Sequence, residues 1–470
     1  MLFPTIDFAI FFALVFLGHW LLNPKPLPWK LFMIGASYVF YAWWNVHFIW
    51  LLAGVSALAQ LGALAVARQA SETRKRLAMA AGLALTLTPL IAFKYYGFFS
   101  RELTNAATSL GLNIGVPLVQ LILPIGISFF TFMAISYIVD VYRGETKVAS
   151  WIDVFLYLSF FPHLVAGPIV RPNELIPQLR VRRDPRHLDV AGAAWLILGG
   201  LFKKVVVSSF LADALVDPVF GDPAAYSAID AFFAVVAYAI VIYADFSGYT
   251  DIAIGVAKLL GFRFPQNFDR PYAARSLQDF WRRWHITLSR WLRDYLYIPL
   301  GGSKRGEVRA YVNIMVTMVL GGLWHGAAWP FIIWGLFHGI GQAGGAFKRA
   351  HLAERPETPL LVWSQRLSTF ALVCVGWVFF RSDSISTALA MLGRLLFGWA
   401  TPTQVVTPLA ISTMVLMLAL QNAPRSPGLR LQQTISRWRP VPMGLAGAGA
   451  LFVIATLGPQ GVAPFIYFQF

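Results

Sequence analysis

The sequence predicts an all-α protein that crosses a membrane many times, and three observations predict it. Of its 470 residues, 57% are hydrophobic and only 13% are charged, with a mean hydropathy of +0.62. Soluble domains carry roughly 25% charged residues, so the bilayer must solvate much of this chain. Apolar runs long enough to cross a bilayer recur from one end of the sequence to the other. Most basic residues fall between these runs, where the positive-inside rule places them.

A spanning helix needs about 20 mostly apolar residues. Runs of that kind cover 5–22, 31–46, 48–67, 77–97, 118–140, 190–212, 229–257, 360–380, 405–422 and 442–460. Two further apolar regions, 151–170 and 311–346, are interrupted by Gly, Pro and His. The expected architecture is therefore about 10–12 transmembrane helices in a single membrane-embedded domain over residues 1–470. Neither an internal repeat nor a low-complexity stretch is visible. The segment Phe3 to Leu22 has no basic n-region and no small-residue cleavage site, so it reads as a retained first helix.

The formal net charge is +16. In a soluble protein this would suggest nucleic acid as a partner. Here the charge follows the apolar runs, and the reading is a membrane protein with no nucleic-acid partner. Residues 68–76, 171–186, 263–309, 348–366 and 425–439 are basic and are expected on the cytoplasmic side. From Lys204 to Lys258 no Lys or Arg intervenes, while Asp213, Asp217, Asp222 and Asp230 do, which places that loop outside. No charged side chain follows Arg439, so the C-terminal tail is expected outside as well.

Both flanks of 151–170 carry cytoplasmic signals, so this segment is expected to enter the membrane and return. It holds Pro162 and the Gly167-Pro168 pair. The 311–346 segment also has basic flanks and is expected to break at Gly321-Gly322. Irregular backbone at membrane depth requires burial in protein or a water-filled cavity. Two such segments predict a polar cavity among the helices.

His325 is the foremost candidate for chemistry. It lies in Gly321-Gly322-Leu323-Trp324-His325-Gly326, inside an apolar run. An ionisable side chain at membrane depth is a functional candidate, and the glycines admit close approach of backbone or ligand. The alternative is a histidine hydrogen-bonded between helices for structural reasons.

His285 ends the stretch Gln278-Asp279-Phe280-Trp281-Arg282-Arg283-Trp284-His285. Trp281, Trp284, Leu288 and Trp291 recur at helical spacing and predict one apolar helix face opposite a basic one. Arg282, Arg283, Arg290 and Arg293 then lie at the cytoplasmic interface, either as plain interfacial anchors or as a grip on a phosphate-bearing donor.

His163 follows Pro162 and is a candidate to line the cavity, but both it and His338 read first as structural histidines. On the 229–257 helix, Asp245 and Asp251 are costly at membrane depth and are expected to be paired or to line water. No His or Cys cluster has metal-ligand spacing, so no metal is expected. P-loop, dinucleotide and nucleophile-elbow fingerprints are absent too. The single cysteine, Cys374, excludes a disulfide within the chain.

At these residues the chain resembles the membrane-bound O-acyltransferase (MBOAT) family, in particular its bacterial branch for alginate O-acetylation and teichoic-acid D-alanylation. The resemblance rests on Asp279-Phe280-Trp281-Arg282-Arg283-Trp284-His285, Gly322-Leu323-Trp324-His325-Gly326, Phe161-Pro162 with Ala166-Gly167-Pro168, and Tyr243-Ala244-Asp245-Phe246-Ser247-Gly248-Tyr249. It implies a ring of helices around a central funnel, with His325 as catalytic histidine and His285 as the second family histidine. It also implies acetyl transfer from a cytoplasmic thioester, acetyl-CoA or another acyl thioester, with no bound cofactor. The partner implied is an extracytoplasmic SGNH-hydrolase-like O-acetyltransferase that modifies a polysaccharide. Arg282, Arg283, Trp324, Asp245 and His163 are the candidate substrate- or donor-binding residues.

The tail Pro464-Phe465-Ile466-Tyr467-Phe468-Gln469-Phe470 either anchors at the interface or, by the same resemblance, carries the acyl group on Tyr467. Tyrosine has an ordinary pKa near 10, so it needs a base to attack at neutral pH. Broken helices and midplane polar residues also occur in transporters, which leaves a transporter or flippase as the rival class. An acyltransferase acting on lipid is a third. Thioester-dependent transfer separates enzyme from transporter.

Overall fold

The computed structural model describes residues 1–112, 115, 117, 121–353, 356–424 and 426–458. Among these residues there is no strand, and every element is helical. Six helices are long and apolar enough to cross a membrane: Val46–Ala67, Glu72–Ser109, Val190–Gly221, Ala228–Leu259, Pro359–Arg381 and Pro440–Leu457. Ile6–Leu22 and Pro408–Asn422 are apolar but shorter. The chain is a multi-pass membrane protein. It divides into two compact units, one formed by residues 1–189 with 256–265 and the other by 190–255 with 266–470.

The first unit contains α1 (Ile6–Leu22), α2 (Pro26–Ala42), α3 (Val46–Ala67), α4 (Glu72–Ser109), α5 (Ile127–Arg143) and α6 (Trp151–Ser159). Phe8, Phe11, Phe40 and Phe161 pack as an aromatic core, with Phe11 and Phe161 edge-on at 5.3 Å. A closed hydrogen-bond circuit joins α3 to α5: Tyr137 Oη donates to Gln60 Oε1, Gln60 Nε2 to the Ala149 carbonyl, and the Ala149 amide to Tyr137 Oη, each at 2.9 Å. Satisfying every member makes such a polar network tolerable inside an apolar core.

The 151–170 segment is broken as expected. α6 stops at Phe160, a single turn follows over Phe161–Leu164, and residues 156–170 are all buried. Gly126, at φ +77°, lies so close to the Leu164 carbonyl that a Cβ there would collide with it. Asp153 anchors the start of α6 through Lys30 at 2.5 Å and Arg180 at 3.1 Å.

The second unit contains α7 (Val190–Gly221), α8 (Ala228–Leu259, whose last turn belongs to the first unit), α9 (Leu277–Arg283), α10 (Ile286–Leu292), α11 (Glu307–His325), α12 (Trp329–His351), α13 (Pro359–Arg381), α14 (Ile385–Phe397), α15 (Pro408–Asn422), α16 (Ser426–Ile435) and α17 (Pro440–Leu457). α7 and α8 cross at Gly200 and Gly248, where an added Cβ on either would meet the other's carbonyl. The N-terminus of α8 is tied to the 404–405 loop by buried Asp230, which accepts the Gln404 and Val405 amides at 3.1 and 3.2 Å.

The 311–346 segment differs from the sequence expectation in where it breaks. Gly321 and Gly322 stay inside α11, and the chain turns at 326–328 instead. Gly322 serves the packing: a Cβ there would strike the Phe331 carbonyl of α12. The turn follows from extended Gly326 and Ala328 and from Pro330 at the start of α12, where a proline is readily accommodated. α11 and α12 form a tight antiparallel hairpin, so both basic flanks share one side.

Candidate active site

The tryptophan-rich stretch does not form the single amphipathic helix its spacing predicts. α9 ends at Arg283, Trp284 is extended, and His285 adopts φ +40° and ψ 55°, a left-handed conformation uncommon for a non-glycine residue. The physical cause is Asn267. Its carbonyl takes the Ile286 amide at 2.9 Å, and its side-chain Oδ1 takes the Thr287 amide at 3.1 Å and the Thr287 hydroxyl at 2.9 Å. These bonds replace the helical ones that would have run through the break.

The same Oδ1 lies 3.2 Å from His285 Nδ1. Because the Thr287 amide can only donate, the Asn267 atom facing it is the carboxamide oxygen, an acceptor. His285 Nδ1 therefore carries the proton, and in the neutral ring Nε2 carries the lone pair. Phe246 of α8 packs edge-on against the ring at 4.6 Å.

His325 is the last residue of α11 and is buried. Trp324, Trp334 and Phe380 surround its ring at 4.9, 5.0 and 5.2 Å. Trp324 also contacts His285, at 6.1 Å between ring centroids. One indole thus touches both imidazoles, forty residues apart in sequence.

A cavity of about 550 Å³ adjoins this enclosure, within the range of small-molecule sites. Arg282, Arg290 and Arg293 line it together with Gln278, Trp281, Tyr297, Thr317 and Gln342. Neither histidine is on its wall, but Ile286, next to His285, is. Met318 lines it from α11, seven residues before His325, a rise of about 10 Å along a helix.

The remaining candidates divide between other settings. Trp324 sits within the enclosure. Arg283 is not on the cavity wall and pairs with Asp279 at 2.8 Å. Asp245 pairs with Lys204 of α7, both buried, and Asp251 pairs with Lys203 at 2.5 Å. Asp245 and Asp251 are therefore both paired. Their partners went unrecognised in the sequence although Lys203 and Lys204 interrupt the 190–212 apolar run, a signal that two cations needed two anions.

His163 lies in the first unit, buried, with Nε2 donating to the Tyr157 carbonyl at 2.9 Å. Tyr467 lies outside the described residues. Asn267 carried no sequence signal. Among the described residues no group of three His, Cys, Asp or Glu side chains is placed to hold a metal, and Cys374 is buried as a free thiol.

Membrane-crossing helices with two enclosed histidines beside an arginine-lined cavity define a polytopic membrane protein whose candidate site lies among its helices. The profile of the membrane-bound O-acyltransferase family matches residues 120–383, and the chain belongs to that family. It is 38% identical to a probable alginate O-acetylase of Pseudomonas putida over 100% of both chains. It is 37% identical to a peptidoglycan O-acetyltransferase of Helicobacter pylori over 83% of this chain and 78% of that one. With a teichoic acid D-alanyltransferase of Bacillus subtilis it shares 26% identity over 54% and 68%. The protein is an O-acyltransferase.

Proposed function

We propose that this enzyme is an O-acetyltransferase of the cytoplasmic membrane. It takes acetyl groups from a cytoplasmic thioester, acetyl-CoA or another acyl thioester, and passes them outward for O-acetylation of an exopolysaccharide such as alginate. The observation that carries this reading is the convergence of His285 and His325 on Trp324, beside a cavity rich in arginine. The relatives' names, alginate O-acetylase and peptidoglycan O-acetyltransferase, favour acetyl as the acyl group and a glycan as the final acceptor.

In this mechanism the donor's phosphates rest on Arg282, Arg290 and Arg293, whose planar guanidinium groups suit phosphate. Arg283, fixed by Asp279, holds the end of α9 beside them. The donor's thioester end reaches toward the enclosure. His325 acts as general base and takes the proton of an acceptor hydroxyl, whose oxygen attacks the thioester carbonyl. The carbon–sulfur bond breaks, an ester forms, and the proton returns from His325 to the departing sulfur. His285, with its Nε2 lone pair, offers a second acceptor for a proton or hydrogen bond. The Tyr467 hydroxyl is the first acceptor, and it hands the acetyl group to an extracytoplasmic SGNH-hydrolase-like transferase.

The test is His325→Ala in cells that make the acetylated polymer, with the amount of protein in the membrane measured alongside. A positioned general base contributes about 10²–10⁴-fold, so polymer acetylation should fall to background. Undiminished acetylation at equal abundance rejects His325 as the base.

A further inference from the structure

His338 is unused by the mechanism above, yet it is an imidazole buried completely on α12 among aromatic side chains. Its Nδ1 accepts the indole N–H of Trp281 at 3.3 Å, slightly longer than the common hydrogen-bond range. The tautomer is therefore Nε2–H. That nitrogen points at Gly376 of α13 and has no hydrogen-bond partner among the described residues. A Cβ at position 376 would come within 2.9 Å of it, so the glycine makes room for the ring.

An apolar side chain would fill this volume without the unpartnered Nε2–H, but it would leave the Trp281 indole N–H without its acceptor. What the histidine adds is one acceptor, and a buried indole N–H needs one. Trp281 is also a wall of the arginine-lined cavity. With its nitrogen held by His338, the indole's orientation, and with it the face presented to the cavity, is fixed. The link extends inward: Trp334, one turn before His338, contacts His338 at 4.8 Å, Trp281 at 5.6 Å and His325 at 5.0 Å.

We infer that His338 is a positioning residue for the donor: by accepting the Trp281 indole N–H it sets the cavity wall against which the acyl thioester docks. This inference rests on the reading of the cavity as the donor site. It predicts an effect on donor affinity, because His338 touches neither the reacting atoms nor the base directly.

The experiment uses inside-out membrane vesicles from polymer-producing cells carrying the full chain, with acetyl-CoA as the varied substrate. His338→Ala should raise KM for acetyl-CoA about 5- to 10-fold, the loss of roughly one hydrogen bond, and leave kcat within about twofold. His338→Asn places a carboxamide oxygen near the lost Nδ1 and should bring KM back toward the wild-type value. Trp281→Phe also shortens the cavity wall and should raise KM at least as much as His338→Ala, and adding His338→Ala to it should cost nothing further, since the bond is already lost. Arg290→Gln and Arg282→Gln report on the cavity itself. If they raise KM while His338→Ala and Trp281→Phe do not, the positioning role is wrong and the donor site stands. If they leave KM unchanged, the donor-site reading fails and takes this inference with it. A fall in kcat at unchanged KM in His338→Ala, or no rescue by Asn, also overturns it. Should His338→Ala fail to accumulate, Trp281→Phe and His338→Asn decide the question alone.

Discussion

Asn267 holds His285. One carboxamide oxygen accepts from Thr287 twice and from His285 Nδ1 once, and the backbone bends into a left-handed conformation at the histidine as a result. The strain is local, and the bonds that maintain it also choose the tautomer of the ring. The loop at 267 and the break between α9 and α10 therefore work as one unit.

Asn267→Ala leaves the Thr287 amide and the imidazole N–H without their acceptor. The expected cost is about 1–3 kcal/mol for each buried group left unsatisfied, read as a lower unfolding temperature in detergent. Acetyl transfer should fall in parallel with that of His285→Ala. The double variant should be no less active than His285→Ala alone, because Asn267 acts through the ring. A further loss in the double variant would show an independent role.

Lys204 and Asp245 form a buried ion pair between α7 and α8. Removing one partner takes the opposite charge away from a buried ion, a change that costs about 3–5 kcal/mol. Lys204→Met should therefore lower thermal stability sharply and reduce accumulation in the membrane. Replacing both, as Lys204→Met with Asp245→Leu, should recover most of it. Equal stability of Lys204→Met and wild type would mean that this ion pair does not stabilise the fold.

Gly322 lies where α11 presses on α12, one turn before His325. Gly322→Ala forces the hairpin apart, an overpacking effect worth about 1–3 kcal/mol. Because His325 ends the displaced helix, acetyl transfer should drop more than the stability loss explains. Full activity in Gly322→Ala would indicate that the hairpin spacing does not position His325.

Tyr467→Phe keeps the aromatic ring of the tail and removes its oxygen. If this hydroxyl receives the acetyl group, polymer acetylation should vanish while the protein stays abundant in membranes. Complete acetylation by this variant eliminates the carrier role and leaves the tail as an anchor.

Much of this site was legible because membrane chemistry makes exceptions visible. His325 and His285 stand out because imidazoles are costly among apolar residues, and the aspartates on α8 stand out for the same reason. The 160–164 break was readable from Pro162, because a proline within a helix removes a hydrogen bond and crowds the preceding turn. The break at His285 was not readable: the tryptophan spacing fits a continuous helix, and the residue that interrupts it lies eighteen positions upstream. The break after His325 was misplaced to Gly321-Gly322 because glycine signals either a turn or a close contact, and only the position of Phe331 distinguishes them.

By itself the sequence determined that this chain lives in a bilayer and which few ionisable groups interrupt its apolar runs, since each follows from the cost of moving a side chain out of water. Tertiary structure alone decided which of those groups meet: His285 with His325 around Trp324, Lys204 with Asp245, Trp281 with His338. Such pairings depend on where distant helices pack, and packing is a matter of shape and close contact that no local residue pattern encodes.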